Sequence, residues 1–187
     1  MTSAVVRRFG TARGMVRLVL SHAEVALRQA GIVDADPSSI RRLVFVCHGN
    51  ICRSAFADWL ARDHGLNAVS FGLSTNSGLG AHPPVIEAAK ALGVNLSGHS
   101  TARIEDYTPE PGDLLLAMEA RQLRRIAAMP GFAVRPRTLL GLYAHPRTPH
   151  LHDPFGLDDV YLGTCLKRID SAVVNLRSAF PGARTFG

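Results

Sequence analysis

Apolar positions along the chain recur with two different periods, and the change falls near residue 37. Before it, Val16, Val19, Leu20, Ala23 and Leu27 stand at helical spacing, which predicts an amphipathic helix over 14–30. The polar stretch from Asp34 to Ser39, with Pro37 inside it, reads as a turn. Beyond it, Leu43, Val44, Phe45 and Val46 form a short apolar run suited to a strand buried on both faces. A helix over 54–64 is stopped by Gly65, and Ala68–Gly72 is a second strand. Pro83 and Pro84 open a helix carrying Ile86, Ala89 and Leu92, which ends at Gly93. Asp113–Met118 is a third strand, followed by a helix through Leu123, Ile126 and Ala127 and a fourth strand over Thr138–Leu142. The last helix, 158–179, carries Leu162, Cys165, Leu166, Ile169, Val173 and Leu176 on one side. Strand and helix alternate, which predicts an α/β domain over 41–187 with a parallel sheet and helices on both faces. Residues 1–40 form an N-terminal extension containing one amphipathic helix, for which packing on the domain is favoured over a dimer contact or a membrane surface.

Composition narrows the function classes. The 187 residues are 47% hydrophobic, enough for a proper core. No apolar run approaches the roughly 20 residues that a spanning helix needs. His22 and Glu24 interrupt any signal-peptide core, although an Arg-rich start without acids before Glu24 is shared with organellar transit segments. Membrane contact by the N-terminal helix is not expected. The net charge is +6, yet the arginines are scattered and no nucleic-acid-binding pattern accompanies them. The sign suits attraction of a small anion. Three cysteines make no disulfide scaffold and point to a reducing, cytoplasmic compartment. They offer no zinc spacing either, and no metal or other cofactor is expected.

In a parallel α/β sheet ligands sit beyond the carboxyl ends of the strands, so the loop after the first strand is the place for chemistry. It reads Cys47-His48-Gly49-Asn50-Ile51-Cys52-Arg53-Ser54. A cysteine six positions before an arginine is weak evidence alone, and an inert cysteine in an ordinary turn gives the same letters. The context adds a strand ending at Cys47, a helix starting at Arg53-Ser54, and Gly49 and Asn50 as conformationally free positions. Backbone N–H groups of residues 48–54 then curl around an anion at a helix N-terminus. Arg53 offers a planar fork for two phosphoryl oxygens. The same dipoles, Arg53 and the Ser54 hydroxyl favour the Cys47 thiolate.

The stretch Val44–Ser54 resembles the phosphate-binding loop of the low-molecular-weight protein tyrosine phosphatase family. The likeness continues through Gly98-His99, Asp113–Glu119 and His152–Phe155, and covers roughly 41–180. It implies a flavodoxin-like fold with a four-stranded parallel sheet and a phosphocysteine intermediate. Cys47 then attacks phosphorus, Arg53 and the loop amides hold the equatorial oxygens, and Asp153 is the general acid and later base. Asn50 and Ser54 hold the loop and assist the thiolate, and His99 bonds the loop framework. Cys52, close to Cys47, can trap a sulfenic acid there as a disulfide. Expected partners are a phosphotyrosine protein or a small aryl phosphate, and the expected state is monomer or weak homodimer.

Two departures from the family pattern stand out. Ala55 replaces a proline that pre-sets the first helical turn. The segment 74–82 lacks the aromatic residue that walls the pocket in relatives, leaving Phe155 and Tyr143 as candidate neighbours while Trp59 reads as core. Glu119 closes a strand and reads either as a residue supporting the site or as an ordinary helix-start glutamate, with no catalytic role expected, and His150 and His152 lack partners for a metal set. Cys165 reads as core. The rival readings are arsenate reduction, which needs two further cysteines near 95–110 where none stands, a non-catalytic phosphate- or phosphopeptide-binding module, and a thiol-redox sensor.

Overall fold

The computed structural model describes residues 3–185. Two helices come first, α1 (Ser3–Phe9) and α2 (Ala12–Ala26). β1 (Arg42–Cys47) leads into α3 (Arg53–Asp63), then β2 (Ala68–Gly72) and α4 (Pro83–Lys90). β3 (Asp113–Ala117), α5 (Ala120–Ala127), β4 (Arg137–Leu139) and α6 (Asp159–Ala179) complete the domain. The sheet has four strands in the order β2-β1-β3-β4, every pairing parallel. It is the parallel α/β architecture expected from the alternation of elements, and the flavodoxin-like fold that the family resemblance implies.

Strand alternation sorts β1 between two cores. Leu43, Phe45 and Cys47 point into the larger core with Phe56, Leu140, Leu166 and Ile169. Val44 and Val46 point to the other face, with Phe71, Leu115, Ile126 and Phe132. Both faces are buried, which is why this strand reads as an unbroken apolar run. The central position of β1 places its carboxyl end, and the loop after it, at the middle of the sheet edge.

Two elements differ from expectation. The fourth strand is shorter, because residues 140–142 form a 3₁₀ turn. A Cβ at Gly141 would overlap the Thr148 carbonyl, so the chain bends there to let the following loop cross. The N-terminal extension contains two helices instead of one. Gly10 at φ 73 ends α1, and Thr11 caps α2 by accepting from Gly14 N at 2.9 Å. α2 packs through its small residues: Gly14 and Ser21 are buried, while Val16, Val19, Leu20 and Leu27 are 53%, 65%, 49% and 65% exposed. The expectation that the apolar stripe packs on the domain is therefore inverted. The small face permits close approach, since a Cβ on Gly14 would lie 3.0 Å from the His152 ring. No helix among the described residues is long and apolar enough to cross a membrane.

Candidate active site

The loop between β1 and α3 closes around the Cys47 sulfur. Its turn depends on Asn50, which sits at φ 55, whereas Gly49 is absent from the positive-φ positions. The special backbone position is thus held by the asparagine, and four bonds pin it there. Asn50 Nδ2 donates to Ser54 Oγ at 2.9 Å and to Ser70 Oγ at 2.9 Å. Its Oδ1 accepts from Ala102 N at 2.9 Å, and its backbone N–H points at Cys47 Sγ at 3.2 Å. Gly72 on β2 lets this turn approach, because a Cβ there would meet Asn50 N at 3.1 Å.

Ser54 Oγ lies 3.0 Å from Cys47 Sγ. Because Ser54 Oγ accepts from Asn50, its own proton is free to point at the sulfur. The chain of bonds extends further back. Ser70 Oγ accepts from Asn50 and donates to Asp58 Oδ2 at 2.9 Å. Asn50 Nδ2 thus donates in both directions, to Ser54 beside the sulfur and to Ser70, which a buried carboxylate holds in place, so the network fixes the orientation of Ser54. Burial raises the Asp58 pKa from its usual value, with Arg62 and Ser70 opposing.

His99 supports the loop from outside. Trp59 Nε1 donates to His99 Nδ1 at 3.3 Å, so the ring proton lies on Nε2, which donates to Asn50 O at 2.7 Å. Burial lowers its pKa and keeps this neutral tautomer. Trp59 is half-buried against the core, as that bond requires.

Arg53 opens α3, whose Cys52 N-cap makes no side-chain hydrogen bond to the first turn. The guanidinium is only 1% exposed and is held by two carboxylates. Nη1 donates to Glu119 Oε1 at 2.7 Å and to Leu151 O at 2.8 Å, while Nη2 lies 2.7 Å from Asp153 Oδ2. Nε is buried without a partner among the described residues, a donor left for an oxyanion. Burial works against the charge on Arg53, but Asp153 and Glu119 outweigh it and raise its pKa further. Burial would likewise raise Glu119, yet Arg53 and Arg121 hold its carboxyl down to about 2.

Glu119, for which the sequence leaves a supporting role open while favouring an ordinary helix-start one, is the buried counter-charge that aims Arg53. It lies 66 positions away, and only its place after an apolar strand hints at burial. Ser70 and Asp58 were missed; serine and aspartate are too common for any signal at those positions.

Asp153 stands in a loop tied down on both sides. Leu151 N donates to Met118 O at 3.0 Å, Thr148 N to Gly141 O at 2.8 Å, and Phe155 N to Asp153 Oδ1 at 3.3 Å. His152 Nε2 lies 3.1 Å from Thr11 Oγ1 of the N-terminal extension, and His150 Nδ1 is 3.9 Å from Glu119. Both histidines thus have packing partners. Burial pushes the His150 pKa down to about 4.

A cavity of about 380 Å³ opens over the sulfur. Cys47, His48, Gly49, Ile51, Cys52 and Arg53 form its floor, and Asp153, Phe155, Leu79 and residues 74–76 its walls. Phe155 is 58% exposed at the rim, its ring 4.9 Å from that of His82. Tyr143, the other aromatic candidate, is not a wall: it packs on Phe180 with ring centroids 5.6 Å apart. Cys52 is buried beside Cys47 in the loop, and burial pushes its thiol pKa up. Cys165 lies in the core, fully buried. A phosphate-sized anion entering this cavity meets a sulfur at its base, the first turn of α3 and the free Nε of Arg53, with a carboxylate beside it.

The family described as low molecular weight phosphotyrosine protein phosphatase matches residues 42–181. The chain is similar to EpsP of Ralstonia solanacearum, a probable low molecular weight protein-tyrosine-phosphatase, at 34% identity over 91 residues, 48% of this chain and 63% of that protein. It is similar to the low molecular weight protein-tyrosine-phosphatase Wzb of Escherichia coli K12, at 36% over 89 residues, 46% of this chain and 60% of that one. The aligned stretch thus spans about three-fifths of the length of these relatives. Among solved structures, a mutant of YwlE from Bacillus subtilis superposes with a TM-score of 0.65 at 26% identity, covering 74% of this chain and 97% of that chain.

Proposed function

The chain belongs to the low molecular weight phosphotyrosine protein phosphatase family, and from that premise we propose that it hydrolyses phosphotyrosine or a similar aryl phosphate through a phosphocysteine intermediate. One observation carries the proposal: the Cys47 sulfur receives the Asn50 N–H and faces the Ser54 hydroxyl, while Arg53 keeps a buried donor free in the same cavity.

The thiolate of Cys47 attacks phosphorus, and the bond to the aryl oxygen breaks. Asp153 gives that oxygen its proton, so a neutral phenol leaves. Arg53, the loop amides and the first turn of α3 stabilise the equatorial oxygens of the in-line transition state. Arg53 Nη2 pairs with Asp153 at 2.7 Å. A phosphoryl oxygen on it competes with that carboxylate and turns Asp153 toward the leaving group. In the second step the Asp153 carboxylate takes a proton from water as it attacks the phosphocysteine. The S–P bond breaks, and the departing thiolate is met by the Ser54 hydroxyl.

The apolar lining of Ile51, Leu79 and Phe155 favours an aromatic leaving group over a charged or aliphatic one. Arsenate reduction on this scaffold needs further accessible thiols, whereas Cys165 is sealed in the core and 95–110 holds none. Cys52 gives the site a reversible oxidation route. Peroxide converts Cys47 to a sulfenic acid, and the Cys52 thiol displaces its hydroxyl as water to form a disulfide. Three free cysteines suit the reducing cytoplasm, where we place the protein. The test is turnover of p-nitrophenyl phosphate by the wild type, Cys47→Ser and Asp153→Asn. Activity is expected to vanish in the first variant and fall at least about 100-fold in the second. Binding of phosphate without turnover by the wild type would overturn the enzymatic reading.

A further inference from the structure

α2 lays its small residues against the domain and turns its apolar stripe to solvent. Six residues define that stripe, Ala12, Val16, Val19, Leu20, Ala23 and Leu27, all exposed, and exposed Met15 and Ala26 continue the apolar surface past its Val19 edge. The pattern is unusual for a surface helix, which normally buries this face. The inward contacts show that the orientation is built in. Gly14 and Ser21 are buried, Thr11 bonds His152, and Glu24 bonds Arg124 at 3.1 Å. Rotating the stripe inward would break all of these at once.

The spacing of the stripe is self-complementary. Its intervals are 4, 3, 1, 3 and 4 residues, the same read from either end. A two-fold axis between Val19 and Leu20 therefore superimposes the stripe on its own reverse. Antiparallel pairing about that axis sets Ala12 against Leu27 of the partner subunit, Val16 against Ala23 of the partner subunit, and Val19 against Leu20 of the partner subunit. Small residues meet large ones in the outer layers and two medium ones meet at the centre, which lets the helices interdigitate at the shallow crossing angle of bundles.

Charge agrees with the same register. Arg13 and Glu24 lie on one edge of the stripe, the edge nearest Leu20, at 100° per residue around the helix. In an antiparallel pair like edges meet. Arg13 then falls opposite Ala26 of the partner subunit, about 3 Å of helical rise from Glu24 of the partner subunit. The Glu24 side chain remains 26% exposed with only Oε1 engaged by Arg124, so Oε2 is free for a second guanidinium. The two-fold makes this pair twice.

We propose that two copies of this chain associate through α2, antiparallel about an axis between Val19 and Leu20, with Arg13 of each against Glu24 of the other. A lipid surface is the less suitable occupant, because it gains nothing from palindromic spacing and would meet the Glu24 carboxylate at the rim. The proposal does not depend on the catalytic reading, since none of these residues lines the cavity over Cys47.

Sedimentation equilibrium of the full chain tests it. At about 50 µM protein the wild type is expected to sediment as a dimer, and Leu20→Glu and Val19→Glu as monomers of 20.1 kDa with p-nitrophenyl phosphate turnover within about twofold of wild type. Arg13→Glu is expected to weaken association at least about tenfold, and adding Glu24→Arg to it to recover most of the loss. A wild type that stays monomeric, with or without sedimenting on vesicles of anionic phospholipid, overturns the proposal. So does a dimer that persists in both stripe variants, or an Arg13→Glu defect that Glu24→Arg leaves unrepaired.

Discussion

Ser54→Ala isolates the bond on which the sulfur chemistry most depends. The substitution deletes one oxygen 3.0 Å from Cys47 Sγ at a fully buried position and leaves the Asn50 N–H in place at 3.2 Å. Asn50 Nδ2 keeps Ser70 as acceptor for one of its two N–H groups, while the other loses its partner. A hydrogen bond to a charged group contributes about 1.5–3 kcal/mol, and the remaining N–H covers part of that, so a loss of roughly 10- to 50-fold is expected. The loss belongs mainly to breakdown of phosphocysteine, where sulfur departs as an anion and the hydroxyl stabilises it as it leaves. Stopped-flow with p-nitrophenyl phosphate should then show a burst of nitrophenol of one equivalent per site, followed by slow turnover. Ser70→Ala sits two bonds further back and should cost less, under roughly tenfold, because Asn50 still orients Ser54. Ser54→Ala turning over within twofold of wild type would refute the reasoning. A folded Ser70→Ala that is slower than Ser54→Ala would refute it equally.

Other expectations follow from the charges around Arg53 and from the cavity wall. Glu119→Ala removes a carboxylate 3% exposed from a guanidinium 1% exposed, and should lower unfolding free energy by about 3 kcal/mol in urea titrations, with Asp153 keeping the loss from going higher; a loss below about 1 kcal/mol contradicts the assigned role. His150, with its pKa lowered from 6.5 to about 4, is held neutral in the fold, so its contribution is complete above pH 6.5 and lost as pH falls from there toward 4. The cost reaches about 2 kcal/mol at pH 5, and His150→Gln should flatten that slope in urea titrations at pH 7 and 5. Glu119, lowered to about 2, adds a second loss only below about pH 4.5. Phe155→Ala should raise KM for an aryl phosphate roughly 2- to 10-fold with little change in kcat, and leave an alkyl phosphate unaffected; equal effects on both would show that the ring does not touch the leaving group.

The sheet and the loop that closes around Cys47 were legible because each is written locally. Leu43–Val46 is an unbroken apolar run, and Cys47, Asn50, Arg53 and Ser54 fall within eight positions of one another. The partners of that loop were not, because they come from distant strands. Glu119 reaches Arg53 from the end of β3, and Ser70 reaches Asn50 from β2. Residues of such ordinary types announce nothing until the chain is folded. Periodicity located α2 but assigned the wrong face to the domain. An apolar stripe ordinarily marks the buried side, and two small residues, Gly14 and Ser21, override that rule by letting the helix press against His152. Gly49 and Asn50 were both credited with conformational freedom, and Asn50 is the one that uses it, since an asparagine tolerates the left-handed position while adding three side-chain bonds that glycine lacks.

The whole account turns on covalent transfer of phosphate to one sulfur. Acid quench of Asp153→Asn during turnover of p-nitrophenyl phosphate, followed by peptide mass analysis, reads this directly. A gain of about 80 Da confined to the peptide bearing Cys47, and absent from Cys47→Ser, is the predicted result. Turnover by the wild type with no adduct under any quench condition, or an adduct on another residue, would contradict it.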